Sequence, residues 1–184
     1  MLREIYSETE SRMDKAVEKL RHDLSAIRTG RASTSILDGV KVDYYGSKTP
    51  LKQLAQISAP EPRMILIQPY EKSIIPDIEK GIMEADLGLN PQNDGNMIRL
   101  PIPELTQERR EELIKYAHKV AEEGKISDRN IRRDENDTVK SLEKEHEISE
   151  DDAKRAYDSI QDITDEHIKK IDEMLKAKEE EIRE

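Results

Sequence analysis

The sequence predicts an α+β protein in which three long helices pack together and a small domain of short strands is inserted after the first helix. Apolar residues recur every three or four positions over residues 2–27, 107–145 and 149–182. Residues 31–104 lose that period and instead hold short β-rich runs separated by proline and glycine. Charged residues make up 39% of the chain, which is typical of helices with wide exposed faces.

The composition limits the kinds of protein and site that the chain can form. Its 184 residues include no Cys, Phe or Trp, so the core must be aliphatic, and disulfide or thiolate chemistry is excluded. The formal net charge of −10 disfavours indiscriminate binding to nucleic acids or membrane surfaces. No apolar run is long enough for a membrane span, and the chain starts directly in an amphipathic helix. We therefore expect a cytoplasmic protein without a membrane partner.

The first predicted helix covers residues 2–27, about 40 Å at 1.5 Å per residue. Its apolar stripe, which we call the seam, advances mainly in steps of three and four residues. It runs through Leu2, Ile5, Thr9, Met13, Ala16, Val17, Leu20, Leu24 and Ile27. Thr29 and Gly30 are expected to end the helix, because glycine can leave a helix in the left-handed conformation. Arg28 and Arg31 flank this exit.

The inserted segment predicts a small domain of short strands and one helix. Strands are predicted at residues 40–45, 64–67 and 97–100, a helix at residues 74–87, and turns at residues 46–47 and 93–96. Tyr44 and Tyr45 are neighbours on a predicted strand and should point to opposite faces. One buried and one exposed ring is therefore favoured over a pair that stacks on nucleic-acid bases.

The helical period returns after residue 106. Its seam runs through Leu113, Ala117, Val120, Gly124, Ser127, Ile131, Thr138 and Leu142. We predict one helix from residue 107 to about residue 145, roughly 58 Å long, because the phase of the seam survives Gly124. A break at Gly124 is the alternative, since glycine costs about 1 kcal/mol relative to alanine inside a helix. Ser149, followed by three acids, predicts the N-cap of a last helix that ends near Ile182.

The burial of these seams predicts the domain organisation. One amphipathic helix cannot bury its apolar stripe alone, so the helix before residue 30 should pack on the two helices after residue 105. The helical domain then comprises residues 1–30 and 105–184, and residues 31–104 form the inserted domain. Two linkers should join the domains side by side. The first consists of Thr29, Gly30 and Arg31, and the second of Pro101, Ile102, Pro103 and Glu104. This pair predicts either a hinge or a fixed interface.

The second long helix gathers positive charge in an otherwise acidic chain. Lys125, Arg129, Arg132 and Arg133 are spaced i, i+4, i+7 and i+8 and should form a stripe, which we call the basic strip. Ile131 should point away from it, and Asp128 is the only acid among residues 125–133. The strip is either an ordinary solvated helix face or a docking surface for an anion such as a nucleic-acid backbone.

The sequence offers no constellation that indicates catalysis. The glycines are scattered, and none precedes the Lys-Ser/Thr pair of a phosphate-binding loop. The four histidines are not at metal-ligand spacing, and His167 on the last seam is interpreted as a packed or half-exposed histidine rather than a ligand. No nucleophile lies beside a base. We therefore expect no enzyme, no cofactor and no metal.

Six segments resemble the ribosome recycling factor family in the correct order along nearly the whole chain. They are IRTGRAS at 27–33, VDYYG at 42–46, LKQLA at 51–55, ADLGLNP at 85–91, RNIRRD at 129–134 and ISEDD at 148–152. The resemblance implies a long antiparallel three-helix bundle with an inserted β/α/β domain, in an L-shaped molecule. It also implies a factor that, with elongation factor G and GTP, splits the post-termination ribosome into subunits by binding large-subunit ribosomal RNA. We expect it to act as a monomer.

The resemblance implies roles for individual residues. Arg129 and Arg132 match family positions that contact ribosomal RNA, and Arg28, Lys125 and Arg133 are carried over to the same role.

Two departures from the family pattern stand out. Ser127-Asp128 replaces small or aliphatic residues, so Asp128 either repels phosphate or pairs with an arginine, and Thr34 replaces a common proline. Two rival functions remain: a coiled-coil adaptor that binds only proteins, and a hydrolase with an unrecognised carboxylate pair.

Overall fold

The computed structural model describes all 184 residues as four α-helices and six β-strands, joined in part by short 3-10 helices. The α-helices are α1 (Leu2–Ser25), α2 (Ile75–Glu84), α3 (Gln107–Lys144) and α4 (Glu150–Arg183). The chain divides into two compact units. Met1–Thr29 with Gln107–Glu184 form the first, which we call the bundle, and Gly30–Thr106 form the second, which we call the insert. The predicted α+β class is confirmed.

In the bundle, α1, α3 and α4 pack pairwise on one another. Helix α1 runs antiparallel to α3, because Ile5 near its start packs with Val139, whereas Leu20 near its end contacts Gly124. Helix α4 returns antiparallel to α3 after a short turn. Its first turn is capped as the sequence predicts, since the Ser149 hydroxyl accepts a hydrogen bond from the Asp152 amide at 3.0 Å. None of the helices is both long and apolar enough to cross a membrane.

Helix α3 continues through Gly124 without a break. A Cβ at this position would lie 3.1 Å from the Leu20 side chain, so the glycine permits a close approach of α1. The buried face of α3 differs from the predicted seam, because Ser127 and Thr138 are exposed and Asp128, Glu135 and Val139 are buried. Apolar positions alone do not mark this face, since two of its residues are acids.

The insert contains a hairpin and a four-stranded sheet, both antiparallel. The hairpin is formed by β1 (Lys41–Tyr44) and β2 (Ser47–Pro50), and its turn uses the left-handed residues Tyr45 and Gly46. The sheet has the order β3-β4-β6-β5, with β3 (Ala55–Glu61), β4 (Met64–Pro69), β5 (Gln92–Asn93) and β6 (Ile98–Pro101). The sequence did not predict β3, an edge strand that contains Pro60, a residue which the middle of a sheet excludes.

Helix α2 packs against β1 of the hairpin. Gly81 makes this approach possible, because a Cβ there would lie 2.8 Å from the carbonyl oxygen of Lys41. The core of the insert is aliphatic throughout. Its buried members are Leu37, Val40, Val42, Leu51, Leu54, Ala55, Ile65, Ile67, Ile74, Ile75, Ile78, Ile82, Ile98, Leu100 and Ile102. The insert therefore derives its stability mainly from hydrophobic burial.

Candidate nucleic-acid interface

The basic strip lies on the central part of α3, and the helix continues unbroken on both sides of it. Ile131 is buried with 8% exposure and faces away from the strip, as predicted. Arg133 is exposed and has no ion-pair or hydrogen-bond partner. Arg129 is half-exposed, and its guanidinium lies 3.1 Å from Glu122 on the same helix. These two arginines are the outward-facing members of the strip.

The other two members of the strip lean towards α4. Lys125 Nζ lies 2.6 Å from Asp172, and its side chain is only 20% exposed. The Arg132 guanidinium donates a hydrogen bond to the Gln161 amide oxygen at 3.3 Å. The strip therefore spans the α3–α4 side of the bundle instead of standing on one helix alone. Gln161 and Asp172 could not be identified from local spacing, because they lie 29 and 47 positions away from their partners.

The acids beside the strip do not prevent it from binding an anion. Glu122 and Asp172 are both 55% exposed at the side chain. Ion pairs between such exposed side chains contribute at most about 1 kcal/mol, so phosphate can compete with them for the cations. Arg129 and Lys125 are thus held in position by exchangeable partners, and Arg133 is available without any exchange.

Asp128 is not part of the strip, which corrects the expectation that it pairs with an arginine. Its side chain is fully buried in the bundle, and neither carboxylate oxygen has a hydrogen-bond partner. It therefore does not pair with an arginine and cannot contact a bound phosphate directly. The reason is helical spacing: Asp128 is four residues after Gly124 and three before Ile131, both of which face the interior. Counting those steps would have identified the position from sequence.

Arg28 lies apart from the basic strip. It is exposed and follows the end of α1. Because α1 is antiparallel to α3 and Leu20 already contacts Gly124, the residues after Leu20 lie beside earlier turns of α3. The structure thus brings Lys125, Arg129, Arg132 and Arg133 together and leaves Arg28 towards the N-terminal end of α3.

The first linker is hydrogen-bonded at both of its ends. Thr29 donates from its hydroxyl to Glu181 of α4 at 3.1 Å, and the Ala32 amide donates to the Pro62 carbonyl at 2.6 Å. Between these points lie Gly30 and Arg31. Gly30 has a φ of +80°, in the left-handed region that favours glycine.

The second linker is hydrogen-bonded to the carbonyl that follows the one bound by the first linker. The Ile102 amide donates to the Arg63 carbonyl at 2.8 Å, next to Pro62, so the turn between β3 and β4 holds both linkers. Pro101 ends β6, Pro103 is exposed, and Glu104 lies 3.3 Å from the Arg63 guanidinium. A Cβ on Gly30 would approach Leu105 to 3.1 Å. The linkers are therefore adjacent where they enter the insert.

The paired tyrosines are engaged with each other and with an acid. Tyr44 is half-buried and Tyr45 is 81% exposed, but the prediction that the rings point to opposite faces of a strand is wrong, because Tyr45 lies in the turn after β1. Their rings meet edge to face at 4.6 Å, and both hydroxyls donate to Glu71, at 2.7 and 3.3 Å. The hydrogen bond to Glu71 raises the pKa of Tyr44. The carboxylate beside the rings makes them a poor platform for nucleic-acid bases.

One group of side chains has the spacing of metal ligands. Glu10, Asp14 and His167 each offer an atom within 4.8 Å of the other two. His167 Nε2, however, is already hydrogen-bonded to Asp14 Oδ1 at 2.7 Å, and the ring is fully buried, which is one of the two environments that the sequence left open. The hydrogen bond accounts for this arrangement without a metal ion.

Comparisons with known proteins give one consistent result. A family model described as ribosome recycling factor matches residues 20–182. The ribosome-recycling factor of Natranaerobius thermophilus is 57% identical over 178 residues, 97% of each chain. That of Syntrophomonas wolfei is 56% identical over the full length of both chains.

Solved structures agree with the sequence comparisons. A solution structure of a ribosome recycling factor superimposes with a TM-score of 0.72 and 44% identity, covering 99% of this chain and 97% of the other. A second structure contains the Thermus thermophilus ribosome recycling factor and Escherichia coli elongation factor G bound to the E. coli post-termination complex. Its matching chain has a TM-score of 0.62 and 47% identity, covering 99% of this chain and 98% of the other.

Proposed function

Because this chain belongs to the ribosome recycling factor family, whose members are translation factors and not enzymes, we propose that it splits the post-termination ribosome into subunits. Elongation factor G and its GTP supply the energy, and this chain acts as a non-enzymatic wedge that separates the subunits. The similar structure of a recycling factor with elongation factor G on a post-termination complex supports this choice of partners. The factor acts in the cytoplasm as a monomer and needs neither a cofactor nor a membrane.

The basic strip is the surface by which the bundle grips large-subunit ribosomal RNA. The main observation in its support is a four-cation stripe on an unbroken helix of a protein whose net charge is −10. Arg129, Arg132 and Arg133 bind backbone phosphates, and Lys125 contributes from the α4 side. Such contacts fix register and orientation without reading base sequence. The acidic remainder of the surface disfavours other binding orientations.

Arg28 is a separate and more distant contact in this proposal. Its position towards the N-terminal end of α3 makes it a second point of attachment along the bundle. Two separated contacts define an orientation more strictly than one cluster does. A rigid bundle can also transmit force between them, because α3 is continuous from Gln107 to Lys144.

The two linkers act as a hinge during splitting. Thr29 is hydrogen-bonded within the bundle and Ala32 within the insert, so Gly30 and Arg31 lie between two fixed points. In the second linker Pro101 is the last residue of β6 and the Ile102 amide is hydrogen-bonded to the Arg63 carbonyl, and Pro103 and Glu104 then lead towards α3. We place the bending of the chain at Gly30–Arg31 and at Pro103–Glu104.

Co-sedimentation with vacant ribosomes across a salt series tests the binding surface. Wild type should bind saturably and lose affinity as salt increases, because bound cations displace condensed counterions. Arg132→Ala should weaken binding and reduce the slope of log affinity against log salt by roughly one. Lys140→Ala, an exposed cation elsewhere on α3, is the matched control and should leave binding nearly unchanged.

The same experiment can refute the proposal at two levels. If Arg132→Ala and Lys140→Ala bind alike, the strip is only a solvated helix face and the contact lies elsewhere. If wild type fails to bind at low salt, ribosome association itself is wrong, and a protein-only adaptor becomes the better account. Light scattering of post-termination complexes then tests splitting, which should require this factor, elongation factor G and GTP together.

A further inference from the structure

The insert presents two tyrosines and a carboxylate that the proposed ribosome contacts do not use. Tyr44 is the last residue of β1 and Tyr45 is the first residue of the turn that follows. Both ring hydroxyls donate to Glu71, to Oε1 at 2.7 Å and to Oε2 at 3.3 Å, and the two rings meet edge to face. Side chains from two separate stretches of the chain therefore form one surface cluster, which we call the tyrosine cluster.

Tyr45 occupies a backbone position that disfavours it. The turn between β1 and β2 consists of Tyr45 with a φ of +49° and Gly46 with a φ of +83°, which is the pattern of a type I′ turn. Asn or Asp is preferred at the first of these positions, and a left-handed backbone is unusual for a bulky side chain. The Tyr45 side chain is nevertheless 81% exposed. Burial of the ring therefore does not explain why this position holds a tyrosine.

Glu71 is a half-buried anion without a counter-charge. It accepts the two tyrosine hydroxyls and forms no ion pair, and its side chain does not cap the 3-10 helix that it precedes. Each carboxylate oxygen has two lone pairs and accepts one O–H here, so each oxygen keeps one free acceptor site. Two such sites, side by side, match the two parallel N–H groups of a guanidinium.

The charges around the cluster favour a cation over a phosphate. Lys48 on the same hairpin lies 3.3 Å from Asp43 and 3.5 Å from Glu84, so this lysine is already shared by two acids. Lys72 follows Glu71 and is exposed, but it forms no ion pair with it. A nucleic-acid backbone would meet the uncompensated Glu71 charge at contact distance, whereas a cationic side chain would be attracted by it.

We propose that the tyrosine cluster binds an arginine side chain presented by a partner protein. The guanidinium donates two hydrogen bonds to Glu71 and lies against the Tyr45 ring, whose quadrupole attracts a cation. Tyr44 holds the carboxylate in place through its own hydroxyl. Lysine fits less well, because its ammonium group is a point charge without the planar fork. This site belongs to the insert, whereas the basic strip belongs to the bundle.

Titration of the full chain with short peptides tests the site. The probes are acetyl-Gly-Arg-Gly-amide and the same peptide with citrulline, which keeps the shape of arginine but lacks its charge. NMR of ¹³C-labelled tyrosine rings measures binding, with the two signals assigned from Tyr44→Phe and Tyr45→Phe. The arginine peptide should shift both rings saturably, and the citrulline peptide should bind at least about fivefold more weakly, because its hydrogen bonds are not charge-assisted on both sides.

Three variants separate binding from folding. Tyr45→Asn introduces a residue that the turn prefers, so the insert should remain at least as stable, while arginine binding should weaken about two- to fivefold through loss of the cation–π contact. Glu71→Gln keeps the size of the side chain and one acceptor oxygen, and should weaken binding roughly tenfold. Glu61→Gln is the matched control, because it also removes one exposed acid but lies at the opposite end of the β3–β4 pair. It should bind like wild type.

Equal affinity for the arginine and citrulline peptides would overturn the proposal, and so would wild-type affinity in Glu71→Gln. Hydrogen exchange of the β1 and β2 amides checks the turn. If Tyr45→Asn destabilises them, the ring supports the fold and is not displayed for a ligand. Single-stranded oligouridine is the last probe. If it shifts the same rings and displaces the arginine peptide, the cluster is a nucleic-acid contact and the protein partner is refuted.

Discussion

In the insert the buried side chains of the core are aliphatic, whereas the bundle core also contains hydroxyls, carboxylates, an imidazole and an ammonium group. All the buried polar and charged residues of the chain lie in the bundle: Thr9, Asp128, Glu135, Thr164, His167 and Lys178. Two units of one chain therefore achieve burial differently. The insert depends on the hydrophobic effect, and the bundle also depends on how its polar groups are paired.

Most of the buried polar groups in the bundle are satisfied locally or by an ion pair. The Thr9 and Thr164 hydroxyls each donate at 2.7 Å to the carbonyl four residues earlier. Glu135 accepts from Arg12 at 3.0 Å, and hydrogen bonds to Asp134 and Glu135 raise the Arg12 pKa. Asp128 is the exception, since its carboxylate has no hydrogen bond at all. Differences in pH response between the two units should therefore centre on Asp128.

The largest predicted effect on stability is in the insert, and its size should not depend on pH. Ile67 on β4 is fully buried, so Ile67→Ala should lower the stability of the insert by about 3 kcal/mol through lost burial and the resulting cavity. Hydrogen exchange of the insert amides at pH 5.5 and 7.5 measures it. Leu66→Ala, on the same strand but only half-buried, is the control and should cost less. A clearly different loss at the two pH values would contradict the assignment of a purely apolar core.

The next effect is on the bundle and should depend on pH. Because the pKa of Asp128 is raised to about 6, its ionisation opposes folding above that pH. Asp128→Asn cannot ionise, so it should gain stability relative to wild type as pH rises from 4.5 to 7.5, by about 2 kcal/mol. The measurement is the difference in Tm between wild type and Asp128→Asn at each pH. The other carboxylates titrate in both proteins, so their contribution cancels in this difference. A constant difference would mean that Asp128 does not titrate in this range.

A smaller effect is expected at the linker. Gly30 has a φ of +80°, and a Cβ there would lie 3.1 Å from the Leu105 side chain. Gly30→Ala should therefore cost about 1 kcal/mol from the backbone conformation, plus a smaller cost from the contact. Gly88→Ala is a matched control, because its φ is +70° and nothing lies within 4 Å. If the chain bends at Gly30 during splitting, Gly30→Ala should slow ribosome splitting and leave ribosome binding intact, whereas Gly88→Ala should change neither.

The division between what sequence could and could not predict follows the same contrast. Periodicity identified the three long helices and the Ser149 cap, because an amphipathic seam and an N-cap are local signals. The apolar strand β4 was also identified, whereas the edge strand β3 depends on pairing with β4 and has no comparable local signal. In the bundle, the acids Asp128 and Glu135 lie on the buried face of α3. Apolar periodicity does not identify such residues, because they are not apolar.

For the candidate interface, spacing predicted which cations share a face of α3, since that depends only on helix geometry. It could not predict that Lys125 and Arg132 lean towards α4, because Asp172 and Gln161 are distant in sequence. Nor could it separate Arg28 from the strip, because that requires the packing of α1 on α3. The local part of the site was predictable and the tertiary part was not.

The smallest effect on stability is expected at the surface of the bundle, where charge is solvated instead of buried. Arg133 is exposed and unpaired, so Arg133→Ala should change the stability of the bundle by less than about 0.5 kcal/mol. Its affinity for vacant ribosomes should nevertheless fall, and more at low salt than at high salt, because a lost phosphate contact weakens the electrostatic part of binding. Lys140→Ala should change neither quantity. An Arg133→Ala variant that binds like wild type at low salt would remove Arg133 from the proposed contact, whereas a marked loss of stability would mean that Arg133 supports the fold.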